Sequence, residues 1–154
     1  MQLRNFLNRS ASPRSAAAAV EFAILAPVLA TLMLGMFELG RGVQVRQILT
    51  GAARKGCRTG ILHLFGNSDI TNDVTNVMQD NGFNSTKFNP PSIGSITITV
   101  TDPDGNTLSD ALNAPSGSTI SVQVAIPTTS VNWVSYMFMT RSMVESDLVV
   151  MMKQ

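Results

Sequence analysis

The chain has 154 residues, room for one small domain beside a membrane segment. Eleven Lys/Arg nearly balance ten Asp/Glu, but residues 1–60 carry eight Lys/Arg against two Glu and residues 61–154 carry three against eight acids, so the basic charge flanks an apolar stretch instead of decorating a soluble domain, which excludes a nucleic-acid-binding reading. One cysteine (Cys57) excludes an intrachain disulfide, and one histidine (His63) excludes a histidine-based metal cluster or a two-histidine relay.

Residues 1–16 form a basic leader with Arg4, Arg9 and Arg14 and no acid. Residues 17–40 are almost wholly apolar and predict a transmembrane helix. From Ala17 through Phe37 such a helix spans about 30 Å, one bilayer core. Glu21 stands near its start. A carboxylate at mid-membrane costs about 2 to 3 kcal/mol or more; near the end the cost is smaller, but the group needs a partner or headgroup water. Three fates fit the segment: a secretory signal cut after Val28-Leu29-Ala30, an uncut signal anchor, or an anchor trimmed near its cytoplasmic end. Arg41, Arg46, Arg54, Lys55 and Arg58 follow the span as densely as the leader arginines precede it, so charge alone does not orient it. The short basic leader and the polar, Thr-rich C-terminal part favour a cytoplasmic N-terminus.

Helical spacing continues over residues 41–66, with Val45, Ile48, Leu49, Ala52 and Ala53 on one side and a stop expected at Gly66-Asn67. Gly51, Gly56 and Gly60 each weaken this extension by roughly 1 kcal/mol relative to Ala. Pro27 is tolerable in a membrane helix, where neighbouring groups re-satisfy the freed carbonyl. Cys57 reads as a small helix residue, although the nearby Arg54, Lys55 and Arg58 could activate a thiol.

Residues 67–154 predict an exported α+β domain. Ser68–Gly82 reads as a short helix capped by Asn67 or Ser68, with Ile70, Val74, Val77 and Met78 as its buried stripe and Asn81-Gly82 as a left-handed stop. Ser95–Thr101 and Ile120–Ile126 alternate strictly and predict strands. Asp102-Pro103-Asp104-Gly105-Asn106 is a turn, since its Gly falls too early for a calcium loop and no closing Glu follows. Ser142–Lys153 predicts a third strand of poor alternation, Val144, Leu148, Val150 and Met152 sharing a face with Ser146; a central strand covered on both sides would explain this, and a helix is the alternative. The fold class is therefore α+β: a long N-terminal transmembrane helix, a short second helix and a three-stranded antiparallel sheet. Trp133, Tyr136 and Phe138 gather with Met137 and Met139, as core cover or as a partner-binding patch.

Ala16-Ala17-Ala18-Ala19-Val20-Glu21-Phe22, the Phe37-Glu38-Leu39-Gly40-Arg41 exit and Ala52-Ala53-Arg54-Lys55-Gly56-Cys57-Arg58 together resemble the TadE-like family, minor pilins or pseudopilins of the bacterial tight-adherence (Tad/Flp) pilus system. The resemblance covers Arg14 to Gly60 and implies a pilin-like layout. It also implies that a prepilin-type membrane aspartyl peptidase removes the leader so that the Glu becomes the fifth mature residue. On this chain that cut falls between Ala16 and Ala17, with Glu21 and Phe22 completing the processing motif. Where the family usually has Gly before the cut, this chain has Ala16, the next smallest side chain. Cleavage would create a positive amine at Ala17, and Glu21, one turn on, could neutralise it within a subunit or between subunits.

No catalytic constellation, phosphate loop, metal-ligand cluster or cofactor motif is present, and the span lacks the Asp a membrane peptidase would need. The expectation is a non-catalytic, single-pass inner-membrane pilus component with an extracytoplasmic C-terminal domain and no cofactor. Its expected partners are the bilayer, the prepilin peptidase, other Tad pilins and the secretion machinery, and not nucleic acid. The alternative is a membrane-tethered binding domain whose specificity lies in the loops around Thr107–Pro115 or in the aromatic cluster.

Overall fold

The computed structural model describes residues 13–83, 94–127 and 143–154. Arg4, Arg9 and the aromatic cluster around Trp133 and Tyr136 lie outside the described residues. The chain divides into two units between Phe37 and Glu38.

The first unit contains the N-terminal part of helix α1 (Pro13–Gly60). Proline suits the first helical position, where its missing N–H costs nothing and its fixed φ is already helical. Pro27 stays inside the helix, and the Thr31 hydroxyl lies 2.8 Å from the Val28 carbonyl and 3.1 Å from that of Pro27.

In the second unit, α1 changes character. Val45, Leu49, Ala52, Ala53 and Cys57 are buried, a stripe at helical spacing. The helix ends at Gly60, six residues before the expected stop at Gly66. The reason is tertiary: the backbone at Gly60 lies against Ile70 and Ile120, and the chain turns there, Leu62 donating to Thr59 O in a tightened last turn. Helix α2 (Asn67–Asp80) follows, burying Ile70, Val74 and Met78 as its periodicity predicts. It stops at Asn81-Gly82 as expected. Gly82 takes φ +83°, Phe83 N–H donates to Met78 O and Gly82 N–H to Gln79 O, both at 2.9 Å. This closes the orphan carbonyls of the last turn and brings Phe83 back onto the core.

Among the described residues the sheet has five strands, where the sequence predicts three. Strands β1 (Ser95–Thr101), β2 (Thr107–Leu108), β3 (Thr119–Pro127) and β4 (Met143–Glu145) run in the order β2-β1-β3-β4, and β5 (Val149–Met152) also pairs with β3. All pairings are antiparallel. The Asp102 turn is as expected: its Oδ1 accepts from the Asp104 and Asn106 amides, and the chain returns as β2.

The expected third strand, Ser142–Lys153, is neither a helix nor one continuous central strand. Its described residues form two short strands, both against β3, with a bulge between them. Ala125 pairs with Glu145 and Val122 with Val149, so three steps along β3 match four along its neighbour. The extra residue reverses which side chains face inward. Val144 packs on the core before the bulge and Val149 and Met151 after it, while Val150 and Met152 point away. The expected shared face of Val144, Val150 and Met152 is therefore split. Ser146 holds the bulge. Its N–H donates to Val124 O at 2.7 Å, and its hydroxyl oxygen accepts from Val124 N–H at 2.9 Å.

The second unit is thus two-layered: α1 and α2 cover the sheet face that carries Val100, Ile120, Val122, Val124 and Ile126. Gly56 sets how closely the two helices pack within their layer. A Cβ there would lie 2.6 Å from Val74 Cγ2 and 3.1 Å from Ile70 Cγ2, so only glycine lets α2 approach α1 this closely.

Candidate functional site

Among the described residues, α1 is the one helix long and apolar enough to cross a membrane. Its first unit buries almost nothing within the chain. Val20, Phe22, Ile24, Leu25, Val28, Leu29, Leu32 and Met33 are all more than half exposed. A contiguous apolar surface of this kind marks a bilayer-facing or partner-facing segment. An amphipathic helix of a water-soluble domain would show a polar outer face, and this segment has none.

Ala16, Ala17, Glu21 and Phe22 all lie on this helix, and all four are exposed. Helical geometry places Glu21 one turn after Ala17, about 6 Å further along the axis. The carboxylate therefore sits at the head of an apolar surface, where a charged partner would have to come from the Ala17 end, from lipid headgroups or from another helix. Glu38, the other carboxylate of α1, is buried in the second unit.

A TadE-like protein family model matches residues 16–58. The matched segment starts at Ala16, takes in Glu21 and Glu38, and ends two residues before α1 does. The TadE-like segment is thus the helix, and the sheet lies beyond it. No curated protein and no solved structure matches the chain. The TadE-like match and the apolar N-terminal helix support a membrane-associated, pilin-family role.

Reactive groups in the second unit are held structurally. The Cys57 thiol is fully buried, with Sγ 3.3 Å from Val149 O, and burial pushes its pKa up to about 11. The neighbouring Arg54, Lys55 and Arg58 are exposed while the thiol is buried, and desolvation outweighs the backbone hydrogen bond that pulls the other way, so the thiol is not activated. His63 is exposed. No group of three or more His, Cys, Asp or Glu side chains able to hold a metal occurs among the described residues.

The Thr107–Pro115 loop, where the binding-domain reading places specificity, is tied down by Asp110. Its Oδ1 accepts from the Asn67 amide at 2.9 Å and from the Leu112 amide at 3.1 Å, while Asn67 Oδ1 accepts from Ala111 N–H at 3.0 Å. The Leu112 and Asn67 amides hold the Asp110 carboxyl below its ordinary range, with a smaller pull from Lys153. The Lys153 ammonium is buried and donates to Ala111 O at 2.8 Å. Reading the sequence misses this cluster. Asp110 ahead of Ala111-Leu112 is a recognisable cap, but nothing local reveals that it also caps α2, 43 residues away.

Proposed function

We propose that the chain is a non-catalytic minor pilin or pseudopilin of a Tad-type pilus, held in the bacterial inner membrane by residues 17–40 with its C-terminal domain outside the cytoplasm. In this reading a prepilin-type peptidase removes residues 1–16 by cutting between Ala16 and Ala17. The new Ala17 amine and the Glu21 carboxylate then neutralise each other, within one helix or between neighbouring subunits. Either charge alone in an apolar bundle is strongly penalised, so the pair favours bundled subunits over isolated ones. The partners are the bilayer, the peptidase, other Tad pilins and the secretion machinery.

The observation that carries the reading is Glu21 at the head of an otherwise apolar, exposed helix, inside the segment matched by the TadE-like model. Mass spectrometry of membrane-extracted protein should give Ala17 as the first residue. Glu21→Gln keeps size and helix propensity but removes the charge. It should leave membrane insertion intact and lower pilus assembly and co-purification with other pilins. An uncut Met1 species in piliated cells, or a Glu21→Gln variant that assembles like the parent, refutes the corresponding step.

A further inference from the structure

Ser118 immediately precedes β3 and Lys153 immediately follows β5, and the two form the rung next to the Thr119–Met152 pair. The Lys153 amide donates to Ser118 O and the Gly117 amide to Lys153 O, both at 2.8 Å, so Gly117 and Ser118 together oppose Lys153. Gly117, at φ +88°, is the extra residue of this bulge. Inside it the alternation of both strands is regular. Ser118, Ile120, Val122 and Val124 are buried in a row along β3, and Met151 and Lys153 turn the same way from β5. Ser118 and Lys153 thus stand opposite each other on the core face, 0% and 1% exposed.

Protein groups leave both side chains short of partners. Ser118 Oγ is buried and has no hydrogen-bond partner among the described residues. The Lys153 ammonium carries three N–H donors. One goes to Ala111 O at 2.8 Å, and the Asp110 carboxylate is near enough to feel the charge. A buried hydroxyl or ammonium proton without a partner costs the full desolvation of that group. We propose that one internal water molecule bridges Lys153 Nζ and Ser118 Oγ, accepting from the ammonium and donating to the hydroxyl oxygen.

A buried water needs a polar site with at least about two partners, and this rung supplies them. It also carries the small Ser118 where the next core-face rungs of β3 carry Ile120, Val122 and Val124. A direct bond between the two side chains is the competing arrangement, but Nζ is drawn to Ala111 O and leaves Ser118 Oγ beyond hydrogen-bond reach. Both groups are sealed from solvent, so the pair is no Ser–Lys nucleophile open to a substrate. The bridge completes a polar chain from β3 through Lys153 to the Ala111–Asn113 turn, and from there through Asp110 to the first turn of α2. It depends on neither the membrane reading nor leader cleavage.

The test uses the full-length chain. Crystals grown from lipidic cubic phase, diffracting well enough to show ordered solvent, should place one water within about 3.2 Å of both Ser118 Oγ and Lys153 Nζ. Direct contact between the two groups, or no ordered density between them, overturns the proposal. In detergent micelles, Ser118→Ala should lower the thermal midpoint by about 2–5 °C, because the water loses one of its partners. In a Lys153→Met background, where the bridge is already broken, the same substitution should shift the midpoint by less than half as much. A dry, unpaired hydroxyl predicts the opposite sign, since its removal relieves a buried orphan and raises the midpoint. A raised midpoint, or equal losses in the two backgrounds, therefore also overturns the bridge. If Lys153→Met fails to fold, the sign of the Ser118→Ala shift and the density in the parent crystal still decide the question.

Discussion

Gly51 and Gly56 lie on the same helix, and replacing each with alanine should have opposite consequences. Alanine in a helix interior is favoured over glycine by about 1 kcal/mol. At Gly51 a new Cβ meets nothing within 4 Å, so Gly51→Ala should realise that gain. At Gly56 the new Cβ would fall 2.6 Å from Val74 Cγ2 and 3.1 Å from Ile70 Cγ2. Both neighbours are fully buried and β-branched, with stiff χ1, so neither can swing aside cheaply. Overpacking of this kind costs about 1–3 kcal/mol, which cancels or exceeds the propensity gain. Gly56→Ala should therefore be neutral to about 2 kcal/mol destabilising, and the two variants should differ by about 1–3 kcal/mol. Thermal unfolding followed by circular dichroism in detergent micelles should separate their midpoints by roughly 5 °C or more, Gly51→Ala higher. If Gly56→Ala rises as far as Gly51→Ala, the close approach of α2 to α1 is wrong, and the two-layer core must be redrawn.

Ser146→Ala should cost about 1–3 kcal/mol, because it leaves the buried Val124 N–H without its acceptor; the unfolding midpoint measures this. Asp110 and Asp102 both have carboxyls held below their ordinary range by hydrogen-bond donors, so each contributes stability that is present above the unfolded carboxylate pKa, about 4, and lost as pH falls through the lowered folded value. Unfolding midpoints should fall on acidification below about pH 4, and Asp110→Asn should lower the midpoint near neutrality and flatten that acid limb; an unchanged limb would show that Asp110 does not contribute to it. Cys57 should react with maleimide far more slowly in the folded chain than in denaturant near neutral pH, since it is buried and its pKa is pushed up to about 11; equal rates would contradict the packed α1–β5 contact.

Much of the fold is legible in the sequence because its signals are local. The apolar run of 17–40, the Ile70/Val74/Met78 stripe, the Asn81-Gly82 stop and the alternation of β1 and β3 depend on side chains within a few positions of one another, and burial follows that periodicity directly. Glu21 is legible for the same reason: a carboxylate in an apolar run stands out against its immediate neighbours. The remainder depends on residues far apart in the chain. Poor alternation in Ser142–Lys153 suggests a strand covered on both faces, yet one inserted residue, held by Ser146 on Val124, reverses the pattern half-way. Gly56 and Gly60 read as helix penalties, yet they leave the space that α2 and β3 occupy. Asp110 reads as a loop residue, yet it accepts the Asn67 amide and so caps a helix. Sequence periodicity determines which face of an element is apolar; only the packed structure decides which neighbour meets it and how closely, because close approach and bulge parity are properties of pairs of segments and not of either segment alone.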